Sequence, residues 1–346
     1  MKNNLTLNIK NVSISPAVML APMASVSDLA FREICLEHNA SYTCTEMVSA
    51  KALCYNDKKT ASILKKGTNP APFAVQIFGS DPKTMAEGAK IALEISGASV
   101  LDINMGCPMP KIVSNGEGSA LMKSPELAFK IIEAIKNAVD VPVTVKHRIG
   151  WNSSSINGVE FAKNAEIAGA DAICVHGRTA TQLYSGKADR QVIAQIKKAV
   201  GIPVFANGDI CSADDAVSML KDTGADGIAI ARGALGNPWL FDEIYARLNN
   251  LPKPKEISLN ERLDTALKQI EKTVLYKGER IALLEARKHL CYYLKYIPGS
   301  KAFKVRACSI VSLSEAQKLI DEMKETFDKY GTLNPLQIQT RGDDIV

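Results

Sequence analysis

Residues 96–111 read SGASVLDINMGCPMPK, and each part of the stretch has its own work to do. Gly97 closes a helix-length amphipathic pattern, at a place where a residue without a side chain permits the left-handed conformation that ends a helix. Ser99–Gly106 is a short apolar run rich in β-formers. Cys107 sits on the turn that leaves it, fenced by Gly106 and Pro108. The same punctuation returns as AGADA at 168–172 and TGADG at 223–227, each time ahead of another such run. Eight runs appear in all: Ala17–Met23, Tyr42–Val48, Phe73–Gly79, Ser99–Gly106, Val141–Arg148, Ala172–Arg178, Val204–Ile210 and Gly227–Gly233. Each is followed by a helical pattern. Asp81-Pro82 opens Lys83–Ser96 and Ser124-Pro125 opens Glu126–Val139, and Asp or Ser at an N-cap with Pro next to it is a physical start signal. Eight strand–helix units in about 240 residues predict an α/β fold, a (β/α)8 TIM barrel. A doubly wound sheet is the alternative, disfavoured because no G-x-G-x-x-G follows the first run.

The pattern breaks at LNNLPKPKEISLNER, residues 248–262. Two prolines and a charged run there predict a linker, with helical patterning beyond it. The expected organisation is a barrel over 14–248, a C-terminal helical domain over 255–330 and a flexible tail over 331–346. The chain has 346 residues, 46% of them hydrophobic, which suits one large core and a smaller one. Its eight cysteines show no CxxC pair and no zinc spacing, so neither a disulfide framework nor a metal site is expected. No apolar run reaches the roughly 18 residues of a membrane span, and MKNNLTLNIKNVSIS lacks the core of a signal peptide. A cytoplasmic protein is expected, with no membrane association and no obligate protein partner evident. The net charge of +5 is unevenly spread: residues 255–306 carry twelve Lys/Arg against six Asp/Glu, and residues 307–346 carry four against seven. A charge run is commonly just a solvated face.

In a barrel of this kind the site forms at the C-terminal ends of the strands. Those ends carry Ala21-Pro22-Met23, Glu46-Met47, Gln76, Asn104 with Cys107, Lys146 with Arg148, His176-Gly177-Arg178, Asn207-Gly208-Asp209 and Ala231-Arg232-Gly233. The last two ends suggest a phosphate, because barrels bind phosphate there, Gly208 and Gly233 would let backbone N–H groups approach an anion, and Arg232 adds charge. The same glycines could simply serve tight turns. Gln76 and Lys146 have the donors that a flavin ring needs, but a strand lysine also suits an ion pair or a Schiff base. Cys107 is placed for chemistry by its rigid turn, although most free cysteines are small buried hydrophobes.

Taken in order, AlaProMet at 21–23, DINMGCPMPK at 102–111, GSALM at 118–122, VKHRIGW at 145–151, VHGRTATQLYSG at 175–186, ANGDI at 206–210 and ARGALGNPW at 231–239 resemble the tRNA-dihydrouridine synthases. ARKHLCYYLKYIPGSKAF, residues 286–303, resembles the helical-domain signature of their bacterial B-type branch. The likeness spans roughly residues 14–330. It implies an FMN enzyme that reduces the C5–C6 double bond of tRNA uridines with NADPH. It further implies that Ala21, Pro22 and Met23 line the flavin and that Gln76 and Lys146 contact its ring. His176, Asn207, Gly208, Asp209, Ala231 and Arg232 would hold the ring edge and phosphate, with Ala231 standing where the family usually has Gly. Asn104 and Arg178 would orient the uracil, and Cys107 would donate the proton.

That reaction needs a hydride on C6 and a proton on C5. A thiol with a pKa near 8.5 is still protonated at neutral pH, whereas an ordinary carboxylate is not. Arg287–Arg306 holds six basic residues, no acidic ones, and Tyr292, Tyr293 and Tyr296 interleaved. Lys288, Lys295 and Arg306 are expected to contact tRNA phosphates. The tyrosines could stack on bases, or, for Tyr292 and Tyr296 at four-residue spacing, pack into a helix core. Other functions remain in view: an FMN barrel reductase acting on a free small molecule of dihydroorotate or enoate type, a lyase using Lys146, or an RNA-binding protein with a degenerate barrel.

Overall fold

The computed structural model describes residues 5–327. Eleven strands are present among them: β1 (Leu7–Ile9), β2 (Val12–Ile14), β3 (Val18–Leu20), β4 (Tyr42–Cys44), β5 (Val48–Ser49), β6 (Phe73–Phe78), β7 (Val100–Met105), β8 (Val143–Arg148), β9 (Ala172–His176), β10 (Val204–Asn207) and β11 (Gly227–Ile230). Eight of them, β3, β4 and β6–β11, pair in parallel and in sequence order. The ring closes where β11 pairs with β3, Ala229 opposite Met19. The fold is therefore a (β/α)8 barrel. Its strands are buried nearly throughout, as parallel strands covered by helices must be.

The helix punctuation acts as its chemistry requires. Asp81 accepts from the Thr84 backbone N–H at 2.8 Å and Pro82 starts the helix Pro82–Ser96. That helix ends on Gly97 at φ 61, whose N–H bonds to Leu93. Gly224, at φ 65, closes Ala213–Thr223 in the same way. Ser124 behaves differently: Pro125 opens its helix, but the serine side chain makes no capping bond.

β1 and β2 form an antiparallel hairpin ahead of the barrel, before the expected start at residue 14. Its inward residues Leu7, Ile9, Val12 and Ile14 join Met19, Tyr42, Ala172 and Phe205 in one buried cluster at the strand starts. Tyr42 and Phe205 stack there, centroids 6.3 Å apart. The N-terminal end of the barrel is thus plugged with apolar side chains, which leaves the other end for chemistry.

The chain divides into two compact units. The first contains the barrel through Ala234 and resumes over Trp239–Pro252. The second contains Leu235–Pro238 and the chain from Lys253 onward. Leu235–Pro238, expected to belong with the barrel, groups with the helices for a steric reason: Gly236 stands at φ 64 against the Tyr292 carbonyl, where no β-carbon fits. The second unit's helices are Leu259–Lys277, Glu279–Tyr293, Lys301–Ala307 and Leu313–Phe327. The first of these opens with a capping box between Ser258 and Glu261. The expected tail, 331–346, lies outside the described residues. No helix among the described residues is long and apolar enough to cross a membrane.

Candidate active site

The turn after β7 carries Cys107 at the open end of the barrel, and it is braced from three sides. Asn104 Oδ1 accepts from the backbone N–H groups of Cys107 at 2.9 Å and Gly106 at 3.2 Å. Arg148 Nε donates to the Gly106 carbonyl at 2.8 Å. The Cys107 carbonyl accepts from Ser119 N–H at 2.9 Å, in the GSALM 3-10 helix Gly118–Lys123. Gly118, at φ 59, lies so close that a β-carbon would come 2.7 Å from the Cys107 carbonyl oxygen. Burial pushes the Cys107 thiol up from its ordinary value, against the opposing pull of the Met109 N–H and the charges of Arg148 and Lys146. The thiol is protonated at neutral pH.

Behind this turn lies a chain of buried polar groups. Asn104 Nδ2 donates to Gln76 Oε1 at 2.9 Å, and Gln76 Nε2 donates to Asp102 at 2.6 Å. The other Asp102 oxygen accepts from Thr144 Oγ1 at 2.5 Å. Burial raises the Asp102 carboxyl to about 6, tempered by these two bonds and by Lys146.

Arg148 is the residue the sequence least advertised. Its side chain is 2% exposed, and its Nη1 donates to the carbonyls of Thr179 at 2.8 Å and Leu183 at 2.9 Å. It therefore ties the Cys107 turn to the loop after β9. Burial lowers its guanidinium to about 10, leaving it charged. Tyr184, 55% exposed, rises from that loop with Arg232 4.7 Å and Arg148 5.9 Å from its ring centre. Tyr184 is thus an exposed aromatic held against two guanidiniums. The YSG within the 175–186 motif contained it, but nothing in the residue type alone distinguished it.

His176 is buried, and burial together with Lys146, Arg148, Arg178 and Arg232 drives its pKa far down, so the ring is neutral. Arg178 is a clamp. Its Nε donates to the Ser185 carbonyl at 3.0 Å, its Nη2 to Gly186 at 2.6 Å and to Asp209 at 2.8 Å, and its Nη1 faces His176 Nε2 at 3.4 Å. All three nitrogens are committed within the protein, and the side chain is 2% exposed, so it braces the 185–186 loop. Asp209, at φ 53, also accepts from Ala188 N–H at 2.7 Å and pairs with Arg232 at 3.5 Å. Lys146 Nζ donates to Asn207 Oδ1 at 3.3 Å, and Asn207 Nδ2 to the Ala229 carbonyl at 2.8 Å.

After β10 and β11, the N–H groups of Gly208 and Gly233 make no turn, loop or cap hydrogen bond to the backbone among the described residues. A β-carbon on Gly208 would come 2.7 Å from Ala188 Cβ, and one on Gly233 would strike the Ile210 carbonyl. Gly233 is thus required by loop packing as well as by any anion. With the half-exposed Arg232, these N–H groups make a donor set suited to a phosphate. Ala21 is held by a bond from its N–H to the Ile230 carbonyl at 2.8 Å, Pro22 and Met23 are half-buried beside it, and Ala231 is packed on the core cluster. Pro22, Asp102, Thr144 and Lys146 line one interior cavity of the barrel.

In the helical unit the expected residues divide. Tyr293 is the core tyrosine, 1% exposed, its hydroxyl donating to Gln269 at 2.9 Å. Tyr296 is 47% exposed, contrary to the helix-core option for the Tyr292–Tyr296 spacing, because the helix ends at Tyr293 and Tyr296 turns to φ 65. Lys295 lies 4.8 Å from the Tyr296 ring centre. Lys288 is half-buried on the same helix as Tyr292. Arg306 is ion-paired with Glu322 at 2.6 Å, while the exposed Lys301, absent from the expected set, has no ion-pair partner among the described residues.

A family model described as dihydrouridine synthase matches residues 19–329. The chain is 42% identical over 289 residues to the tRNA-dihydrouridine synthase B of Pseudomonas aeruginosa, covering 84% of this chain and 87% of that protein. It is 39% identical over 321 residues to the probable tRNA-dihydrouridine synthase 1 of Synechocystis sp., covering 92% and 90%. Among solved structures, the 6-hydroxypseudooxynicotine amine oxidase of Pseudomonas geniculata N1 matches with a TM-score of 0.55 at 14% identity, over 75% of this chain and 52% of that one. That last likeness is one of fold alone.

Proposed function

Because the chain belongs to the dihydrouridine synthase family, we propose that it reduces the C5–C6 double bond of specific uridines in tRNA to 5,6-dihydrouridine, with FMN at the barrel mouth, NADPH as reductant and Cys107 as proton donor. The observation that carries this reading is the Cys107 turn: a thiol kept protonated by burial and held in place by Asn104, Arg148 and the Gly118 helix, at the open end of the barrel.

The donor set fits FMN. Gly208, Gly233 and Arg232 offer N–H groups and charge to a phosphate, with Asn207, Asp209, His176 and Ala231 around them. Lys146 brings an ammonium to the barrel interior, beside Gln76 and the Ala21-Pro22-Met23 segment, where the ring would lie. When bound and reduced, the flavin supplies the hydride for uracil C6. Every other role falls to the chain. Cys107 Sγ holds the proton destined for C5. Asn104 and Arg148 keep that sulfur's turn from shifting. Neutral His176 can form hydrogen bonds without adding charge. Tyr184 and Arg232 offer a face against which a planar base can rest. The base must leave its stack to reach this mouth, at a few kcal/mol, and phosphate contacts from Lys288, Lys295, Arg306 and Lys301 would offset that cost. The eight unbonded thiols suit a reducing cytoplasm.

Mass spectrometry of unmodified tRNA incubated with the protein, FMN and NADPH tests the proposal. A gain of two hydrogens at defined uridines is expected. No gain, from protein that binds FMN and oxidises NADPH, would move the substrate to a free small molecule.

A further inference from the structure

The buried chain behind Cys107 has a direction, and Asp102 sets it from the buried end. A side-chain amide has unlike ends, one donating and one accepting. A carboxylate only accepts. Asp102 is 6% exposed, and its two oxygens take Thr144 Oγ1 at 2.5 Å and Gln76 Nε2 at 2.6 Å. With Nε2 committed, Gln76 must offer Oε1 to its other neighbour, and that oxygen takes Asn104 Nδ2 at 2.9 Å. Asn104 is then bound to turn Oδ1 outward, where it meets the N–H groups of Cys107 at 2.9 Å and Gly106 at 3.2 Å. Were Gln76 reversed, its oxygen would face the Asp102 carboxylate and its NH2 would face the Asn104 NH2; were Asn104 reversed as well to relieve that, the Cys107 N–H would lose its acceptor inside the protein. Thr144 can donate or accept, so at the buried end the direction comes from Asp102, and at the outer end the Gly106 and Cys107 N–H groups require the same one.

We propose that Asp102 is a positioning residue of this site: as a buried acceptor it fixes which way the Gln76 and Asn104 amides point, and through them holds the Cys107 turn. The inference deepens the dihydrouridine synthase reading and rests on it only for its effect on turnover. Lys146 favours the charged form of Asp102, and with its carboxyl at about 6 that form prevails at neutral pH.

Two variants test this, read by iodoacetamide labelling of the FMN-loaded protein and peptide mass spectrometry. Exposed Cys211 and Cys308 serve as internal standards. Asp102→Leu keeps the shape and removes the acceptor. Cys107 labelling relative to the standards should rise about fivefold, the change in population that one lost net hydrogen bond allows. The exchange Asp102→Asn with Gln76→Glu preserves charge and direction: the new amide donates to the new carboxylate, which still accepts from Asn104. It should return the Cys107 ratio to within about twofold of the parent, well inside that one-bond effect. A residue that merely stabilised the barrel would not be rescued by exchanging its chemistry with its neighbour's. Should Asp102→Leu fail to fold, Gln76→Met cuts the same chain one link later and should give the same rise. An unchanged Cys107 ratio in the folded single variant, or no recovery in the exchange, overturns the proposal. Because labelling needs no tRNA, these ratios read the role of Asp102 even if the parent protein reduces no uridine.

Discussion

Replacing Cys107 with alanine separates the proposed role of this residue as proton donor from its structural one, because the two costs differ in size. A well-placed general acid contributes about 10²- to 10⁴-fold, which is roughly 2.7–5.4 kcal/mol of barrel-mouth catalysis. None of that is lost to ionisation in the parent, because burial has already pushed the thiol above its ordinary value. The structural cost is small by comparison. The sulfur is half-buried, and the Met109 N–H is the hydrogen-bonding group that acts on it. Losing it should cost about 1 kcal/mol, while Asn104, Arg148 and Ser119 continue to hold the turn through its backbone. The assay is anaerobic stopped flow in two halves. NADPH-driven flavin reduction should stay within about twofold of the parent, since Cys107 takes no part in it, whereas reoxidation by unmodified tRNA should slow by about 10²-fold or more. The pH arm has a definite sign. An acid must carry its proton, so reoxidation in the parent should be level from pH 6 to 8 and decline only as pH climbs through the raised thiol pKa. Reoxidation within about fivefold of the parent in the alanine variant, well short of a general acid's share, would refute the reasoning. So would a parent rate that climbs with pH as thiolate forms.

Three further outcomes follow from the same geometry. Arg148→Met strips donors from the carbonyls of Gly106, Thr179 and Leu183, and should lower stability by about 2–5 kcal/mol in denaturant melts; Arg148→Lys should not restore it, because an ammonium cannot span all three. In acid, burial holds His147 down to about 4, so stability from its neutral form is lost as pH falls from 6.5 towards 4, and His176 acts in the same sense. Asp102, raised to about 6, works oppositely, its folded form binding a proton more tightly as pH drops from 6 towards 3.8. Relative to Asp102→Leu, the parent should therefore gain up to roughly 3 kcal/mol between pH 7 and pH 4, and a constant difference across that range would contradict the burial of the charge. On tRNA, Lys301→Ala should reduce affinity and its salt slope by about one ion, more than Arg306→Ala, because Glu322 already engages Arg306; equal effects would mean that the ion pair opens on binding.

The barrel was legible because its strands are buried on both faces and so stand out as continuous apolar runs, with Gly97, Gly169 and Gly224 marking helix ends by positive φ. The hairpin was not. LNI and VSI are three residues each with the pattern buried–exposed–buried, too short for a period to show. Cys107, Gln76, Lys146 and Asn104 could be picked out because polar groups on apolar strands carry a cost that needs a reason. Arg148 and Arg178 were visible as residues but not as clamps, since their partners, at 106, 179 and 183 for one and 185, 186 and 209 for the other, meet them only after the loops fold back. Periodicity also left Tyr296 open to a core position that it does not take, because the four-residue spacing assumes a helix that continues beyond Tyr293.

The crowd of cations at this mouth poses a problem that the structure resolves by burial. Lys146, Arg148, Arg178 and Arg232 all act on His176, and such a field would ordinarily turn a neighbouring thiol into thiolate, useless as an acid. Two features prevent it. Asp209 pairs with both Arg178 and Arg232, which returns negative charge to the side facing the β10 and β11 loops. Cys107 meanwhile lies where desolvation outweighs the pull of Arg148 and Lys146. Burial, with the cations adding to it, suppresses protonation of His176, which removes the imidazolium as a rival acid, and Asp102 is set behind two amides and mostly ionised at neutral pH. The Arg148 guanidinium, though burial brings it down to about 10, has its donors committed to the carbonyls of Gly106, Thr179 and Leu183. Of the protonated groups near the turn, that leaves the Cys107 thiol and the Lys146 ammonium, and only the thiol sits on a turn braced by hydrogen bonds at both its N–H and its carbonyl. A proton that must reach one carbon of a flat ring from one side needs that kind of fixed donor, whereas an ammonium on a four-carbon stem serves better as a charge.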